Sequence, residues 1–377
     1  MKPEALQSYL TDYFDGKCPK SKALYEEAKK AIPGAVQHNQ AFSFPFPLAF
    51  NKAGGAHLED VDGNQYIDFL QGGGSTLLGT NPPVVLEKVK ELLDECGPVT
   101  CLFHEYELKL ARFIIDRYPG IDMVRLLGSG TAAVVIEPLG PESGTRPLDY
   151  DYCQKVRELC DKYDALLIFD EVVTGFRTAM GGAQEYFGVT PDLTVLGKVI
   201  AGGYPAAGAL GGKREYMERL AGGIGGKKGK KAHVGGTLAA NPLSSLAGYY
   251  TLVELEKTNG VEKAGRLGDR LTRGLRNLIK KYKLPYVAYN QGSMVHIETT
   301  GPILFDINIL KFWQLPGKIK EIYRRKDVMV NIGAAFMAEG LVTVGGSRMF
   351  TNAAFTEEIV DDALLRFERV FKNVEGV

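Results

Sequence analysis

Two polar residues end short apolar runs in the middle of the chain. Leu167-Ile168-Phe169 leads into Asp170, the first residue of Asp170-Glu171-Val172-Val173-Thr174-Gly175-Phe176-Arg177. Leu193-Thr194-Val195-Leu196 leads through Gly197 into Lys198, with Gly202-Gly203 just beyond. A lysine amine can form a Schiff base with an aldehyde, and a carboxylate can keep a pyridinium nitrogen protonated so that the ring accepts a carbanion's electrons. Pyridoxal phosphate chemistry requires that pair. Taken singly, a carboxylate at a strand end also suits a helix cap or a surface ion pair, and a lysine after a strand is usually solvated. The signal comes from the two together, with their flanking glycines.

The surrounding sequence alternates between strand and helix patterns. Apolar runs predict strands over 123–127, 132–136, 165–169 and 193–196, and helical periodicity predicts helices over 152–163 and 242–257. Such alternation builds a mostly parallel sheet covered by helices, an α/β architecture. Cys153 and Cys160, seven apart on one predicted helix, read as packing residues. From 262 onward the pattern changes to a long amphipathic helix over 262–282, strands within 286–297 and a last helix over 357–371, which suits a smaller α+β domain. The expected organisation is a large cofactor-binding domain over 61–274 and a small domain over 275–377, which the N-terminal segment 1–60 joins.

Bulk properties agree with an enzyme of two domains. The chain has 377 residues, 45% of them hydrophobic, enough to bury a substantial core. The formal net charge is zero, so nothing favours nucleic acid or an anionic membrane as partner. No apolar run reaches membrane-spanning length, and Lys2, Glu4, Asp12 and Asp15 leave no signal-peptide core, so the expected location is the cytoplasm. The five cysteines lack CxxC spacing, so neither a metal site nor a disulfide framework is indicated.

One junction is anomalous. The strand over 123–127 enters Gly128-Ser129-Gly130-Thr131, a turn suited to cradling a phosphate with backbone amides and hydroxyls, although most such runs are ordinary turns. A second strand pattern, Ala132-Ala133-Val134-Val135-Ile136, then begins at once. Adjacent parallel strands need a crossover of a dozen or more residues, and four residues allow only an antiparallel hairpin.

The segments FDEVVTGFR, PDLTVLGKVIAGGYPAAGALGG and VGGTLAANPLSSLAG resemble the class III (subgroup II) aminotransferases. So does the opening segment, from Pro33-Gly34-Ala35 through Phe44-Pro45-Phe46-Pro47 to Asp60-Val61-Asp62-Gly63-Asn64-Gln65-Tyr66-Ile67-Asp68-Phe69. The likeness is strongest to the branch holding glutamate-1-semialdehyde aminomutases and β-amino-acid aminotransferases, and it spans nearly the whole chain. It implies a fold type I pyridoxal 5'-phosphate enzyme with Lys198 and Asp170 as the catalytic pair. By the same resemblance Ser129, Gly130 and Thr131 form the phosphate cup, and Thr237 reaches the phosphate of a neighbouring subunit, making a homodimer with shared sites. Val172 matches the residue packed on the ring face, though plain core is an equal reading. Glu142 falls near the substrate or the ring hydroxyl, or is solvated. Arg348 sits where relatives bind a carboxylate, or makes a surface ion pair.

Two departures from the family stand out. His38, within Gln37-His38-Asn39-Gln40, replaces an arginine that binds the substrate carboxylate in the β-amino-acid branch. An arginine fork suits a carboxylate as a histidine does not, which weighs against glutamate-1-semialdehyde and β-phenylalanine as substrates. Relatives also carry, between the positions of Thr131 and Ala132, a segment absent here, on the order of two crossover units at about 30 residues each. The activity implied is transamination between a small-molecule amino donor and an oxo acid. An aminomutase or racemase is the alternative isomerase reading, and a non-catalytic relative that kept the fold is the third.

Overall fold

The computed structural model describes residues 3–32, 35–36, 43–96, 103–127, 135–140, 144–145, 147–205, 208–220, 239–299 and 331–373. In chain order the strands are β1 (Phe50–Gly54), β2 (His57–Asp60), β3 (Gln65–Asp68), β4 (Met123–Leu127), β5 (Val135–Ile136) and β6 (Ile168–Glu171). They continue with β7 (Leu193–Leu196), β8 (Gly208–Gly212), β9 (Val287–Gln291), β10 (Met294–Glu298), β11 (Leu341–Val342) and β12 (Arg348–Phe350). The chain divides into two compact units, residues 74–265 on the one hand and 1–73 with 266–377 on the other. The expected domain limits lay at 60/61 and 274/275; the compact units part at 73/74 and 265/266.

The unit made of both chain ends holds two small sheets, ordered β1-β2-β3-β11 and β12-β10-β9. The β2–β3 turn is closed by Asp60, whose carboxylate accepts from the amides of Asp62 and Asn64, the Asn64 side chain and the Tyr66 hydroxyl. Cys18 and Asp62 lie close to Asp60. Asp62 is engaged by Lys20 and Ser21, so these carboxylates serve as turn staples. The core of this unit is aromatic: Phe69, Phe336, Phe355, Phe367 and Phe371 pack with Leu271 and Leu275.

The unit 74–265 carries a five-stranded sheet in the order β4-β8-β7-β6-β5. β5, β6 and β7 are parallel neighbours, and β8 runs antiparallel to both β7 and β4. β4 therefore runs the same way as β5 to β7, and the carboxyl ends of all four lie along one edge. Cys153 and Cys160 are buried beneath this sheet with Leu167, Phe169 and Val189, on the helix Tyr152–Lys162. At the opposite edge Asp192 binds Arg157, Lys213 and the Leu167 amide, at 2.8, 2.9 and 2.8 Å, fixing where β6 and β7 begin. β4 and β5 stand at opposite ends of the strand order, so they form no hairpin. The Thr131–Ala132 junction itself lies outside the described residues. Among the described residues, no helix is long and apolar enough to cross a membrane.

Candidate active site

In open α/β sheets, ligands bind beyond the carboxyl ends of the strands. At that edge Asp170 pairs in register with Val195, and Glu171 with Leu196. Asp170 thus stands inside β6, one residue later than the predicted strand allowed, because the ladder with β7 continues through Glu171. The Val172 amide donates to Asp170 Oδ1 at 3.0 Å, which orients the carboxylate. Two residues past β7, Lys198 opens a short 3₁₀ turn, Lys198–Ala201, that Gly202 closes in the left-handed region. Lys198 is half-buried, and its own φ is +45°.

Glycines let other elements press against this turn. A Cβ on Gly197 would come within 3.1 Å of Val172 Cγ1, so Val172 leans over the end of β7 just before Lys198. On the other side the helix Pro242–Lys257, capped by the Asn241 side chain accepting from the Ser244 amide, brings Gly248 against the turn. A Cβ on Gly248 would fall onto the Ile200 carbonyl oxygen. Gly248→Ala should therefore push apart the helix and the lysine turn and cost about 1–3 kcal/mol, as overpacking does. Unfolding in urea would read that loss; an unchanged midpoint would mean the contact relaxes freely.

Asp170, Val172 and Lys198 are thus brought together by two adjacent strand ends. Arg348 belongs to the other unit, where it opens β12 opposite His296, half-buried, with its guanidinium 5.8 Å from the Phe350 ring centroid. His38, Ser129, Gly130, Thr131, Glu142 and Thr237 lie outside the described residues. Leu127, two residues before Ser129 in sequence, pairs with Gly208, and Leu196 pairs with Ala209, so β4 ends on the edge that bears Lys198.

A family model, Aminotransferase class-III, matches residues 39–134 and 131–370. The chain belongs to the class III aminotransferases. Its cofactor is pyridoxal 5'-phosphate, the group on which this family's chemistry rests. The two matched pieces meet at 131–134, where the sequence reading placed an absent segment. The chain is 34% identical to the glutamate-1-semialdehyde 2,1-aminomutase of Acetivibrio thermocellus over 370 residues, 74% of this chain and 83% of that protein. It is 30% identical to glutamate-1-semialdehyde 2,1-aminomutase 2 of Shouchella clausii over 447 residues, 95% of this chain and 99% of the relative. Those 447 aligned positions exceed the 377 residues of the whole chain. A crystal structure of a glutamate-1-semialdehyde aminomutase from Pseudomonas aeruginosa PAO1 superposes with a TM-score of 0.84 at 20% identity, covering 98% of each chain, and shows the shared fold.

The residues of this class III chain fit the cofactor. A primary amine and a carboxylate stand at neighbouring strand ends, and the glycine between β7 and the amine admits the apolar Val172 side chain. The arginine that ends the FDEVVTGFR motif is structural: Arg177 is 1% exposed, donates to the Gly74 carbonyl at 2.6 Å, and is held by burial down to about 9.

The sequence reading missed Glu171. It is fully buried, and its carboxylate accepts from Thr174 Oγ1 (3.0 Å), the Ala183 amide (2.6 Å), and the Gln184 amide and side chain (3.3 Å each). Burial raises its pKa from 4.5 to about 7 against those donors. A carboxyl raised on folding stabilises the protein fully below its unfolded pKa, and that contribution is lost as pH rises through the folded value. The unfolding free energy of the native chain, minus that of Glu171→Gln, should thus fall by about 2 kcal/mol between about pH 5.5 and 8. A flat difference in urea unfolding across that range would show that the carboxyl titrates normally.

Proposed function

We propose that this class III chain is an aminomutase, moving an amino group between two carbons of one substrate, with Lys198 and Asp170 as its catalytic residues. The observation that carries the reading is that two adjacent, register-paired strands end at Asp170-Glu171 and just before Lys198, with Val172 packed against Gly197. The isomerase choice is supported by the two relatives at 30–34% identity, both glutamate-1-semialdehyde 2,1-aminomutases.

When bound, pyridoxal phosphate supplies an aldehyde that takes up the amino group and a ring that withdraws electrons from the carbon losing its proton. Lys198 Nζ would hold the cofactor at rest and, once freed by a substrate amine, would act as the general base that moves a proton between the substrate carbon and the cofactor's aldehyde carbon. Asp170 would be the partner of the ring nitrogen, in a half-buried position where attraction between opposite charges is stronger than in water. Val172 would pack on one face of the ring and exclude water there. Ser129, Gly130 and Thr131 are proposed for the phosphate, joined by Thr237 from the other subunit of a two-fold dimer, which sedimentation of the holoenzyme checks.

The second reading is transamination between an amino donor and an oxo acid. The departure at Gln37-His38-Asn39-Gln40 weighs against glutamate-1-semialdehyde and β-phenylalanine alike, so it does not choose between the two readings. The two readings separate on one measurement. An aminomutase turns glutamate-1-semialdehyde over, moving its amino group from carbon 2 to carbon 1, with no oxo acid added. Turnover that appears only with pyruvate or 2-oxoglutarate would overturn the isomerase assignment.

A further inference from the structure

Behind the site, on the face of β6 opposite Asp170, lies a buried polar chain that plain packing does not require. Side chains alternate along a strand, so Asp170 and Glu171 point to opposite faces of the sheet. Glu171 accepts from Ala183 and Gln184, and Gln184 Nε2 also donates to Thr194 Oγ1 on β7 at 2.8 Å. Glu171, Gln184 and Thr194 are 0%, 3% and 0% exposed. Gly182, at φ +67°, makes room for the carboxylate, since a Cβ there would land on Glu171 Oε2 and crowd the Tyr118 hydroxyl.

Thr194 lies four residues before Lys198, and Glu171 follows Asp170 directly. The path Glu171–Gln184–Thr194 therefore joins, from behind, the two strands whose ends carry the amine and the carboxylate. The backbone ladder alone sets the spacing of β6 and β7, but not the rotation of the β6 end, where regular pairing stops at Glu171. A buried, hydrogen-bonded carboxylate at that last paired residue fixes the rotation, and with it the direction in which Asp170 points.

We propose that Glu171, through Gln184 and Thr194, is a positioning residue that aims Asp170 at the cofactor ring nitrogen. The inference rests on the assignment of Asp170 and Lys198 above. Its consequence is that damage to the strap is felt only through Asp170.

The test is a double-mutant cycle on cofactor affinity. Apo-protein of the native chain, Gln184→Met, Thr194→Val and Glu171→Gln would be titrated with pyridoxal 5'-phosphate. Each substitution would be repeated in an Asp170→Asn background, with the apo melting temperature recorded for every variant. Each strap variant should weaken binding about tenfold in the native background, the size of effect seen when an outer partner of a site residue is lost. In Asp170→Asn the same changes should weaken it no further. Equal losses in both backgrounds, or native affinity in every strap variant, would overturn the proposal. Thr194→Val changes no side-chain volume to speak of and keeps the test decisive if Glu171→Gln fails to fold. Should the native chain itself not bind pyridoxal 5'-phosphate, the site assignment fails, whereas an additive cycle on a chain that binds removes only the strap.

Discussion

Lys198→Ala should abolish turnover, lowering kcat by about 10⁴-fold or more, while the protein still takes up cofactor. The size follows from the two tasks proposed for the amine. It would hold the cofactor between turnovers and move the proton that both exchange and migration require; a positioned general base alone contributes about 10²–10⁴-fold. The position supports the assignment, since Lys198 opens a turn directly beyond β7, beside Asp170 in the neighbouring strand. Borohydride reduction of the holoenzyme followed by peptide mapping should find the pyridoxyl label on Lys198. A label on another lysine would sink the assignment, as would an alanine variant that turns over normally.

Asp170→Asn should raise the barrier by about 3 kcal/mol, a loss on the order of 10²-fold in kcat, with the fold intact. The amide keeps the shape of the carboxylate and can still accept from the Val172 amide. On the proposed assignment it loses the charge that would favour a protonated ring nitrogen, and a preorganised charge partner acts mainly in the transition state. The change should therefore appear in kcat more than in KM. Near-native kcat in this variant would mean that another group holds the nitrogen.

The sequence made the sheet legible because its strands are apolar runs that end in residues unsuited to a core. Asp170 and Lys198 stood out for that reason, and the register of β6 with β7 puts them at adjacent strand ends. Glu171 was hidden by its neighbour. Two successive carboxylates at a strand end must face opposite ways, so one of them has to enter the interior, yet a sequence alone does not reveal the Ala183, Gln184 and Thr174 donors that make such burial tolerable. Gly248 was equally opaque, because a glycine within a helical pattern announces close approach without naming the partner, here the Ile200 carbonyl. The separation of β4 from β5 by three strands was not readable from the short link between them; it follows from how β8, β7 and β6 are interposed.

The backbone of Lys198 carries one more lesson. At φ +45° it occupies a region that costs a residue with a side chain about 1 kcal/mol and costs glycine nothing. Selection for durability alone would have placed glycine at the head of this turn. On the proposed assignment of Lys198, the turn accepts that strain in return for an amine at its head.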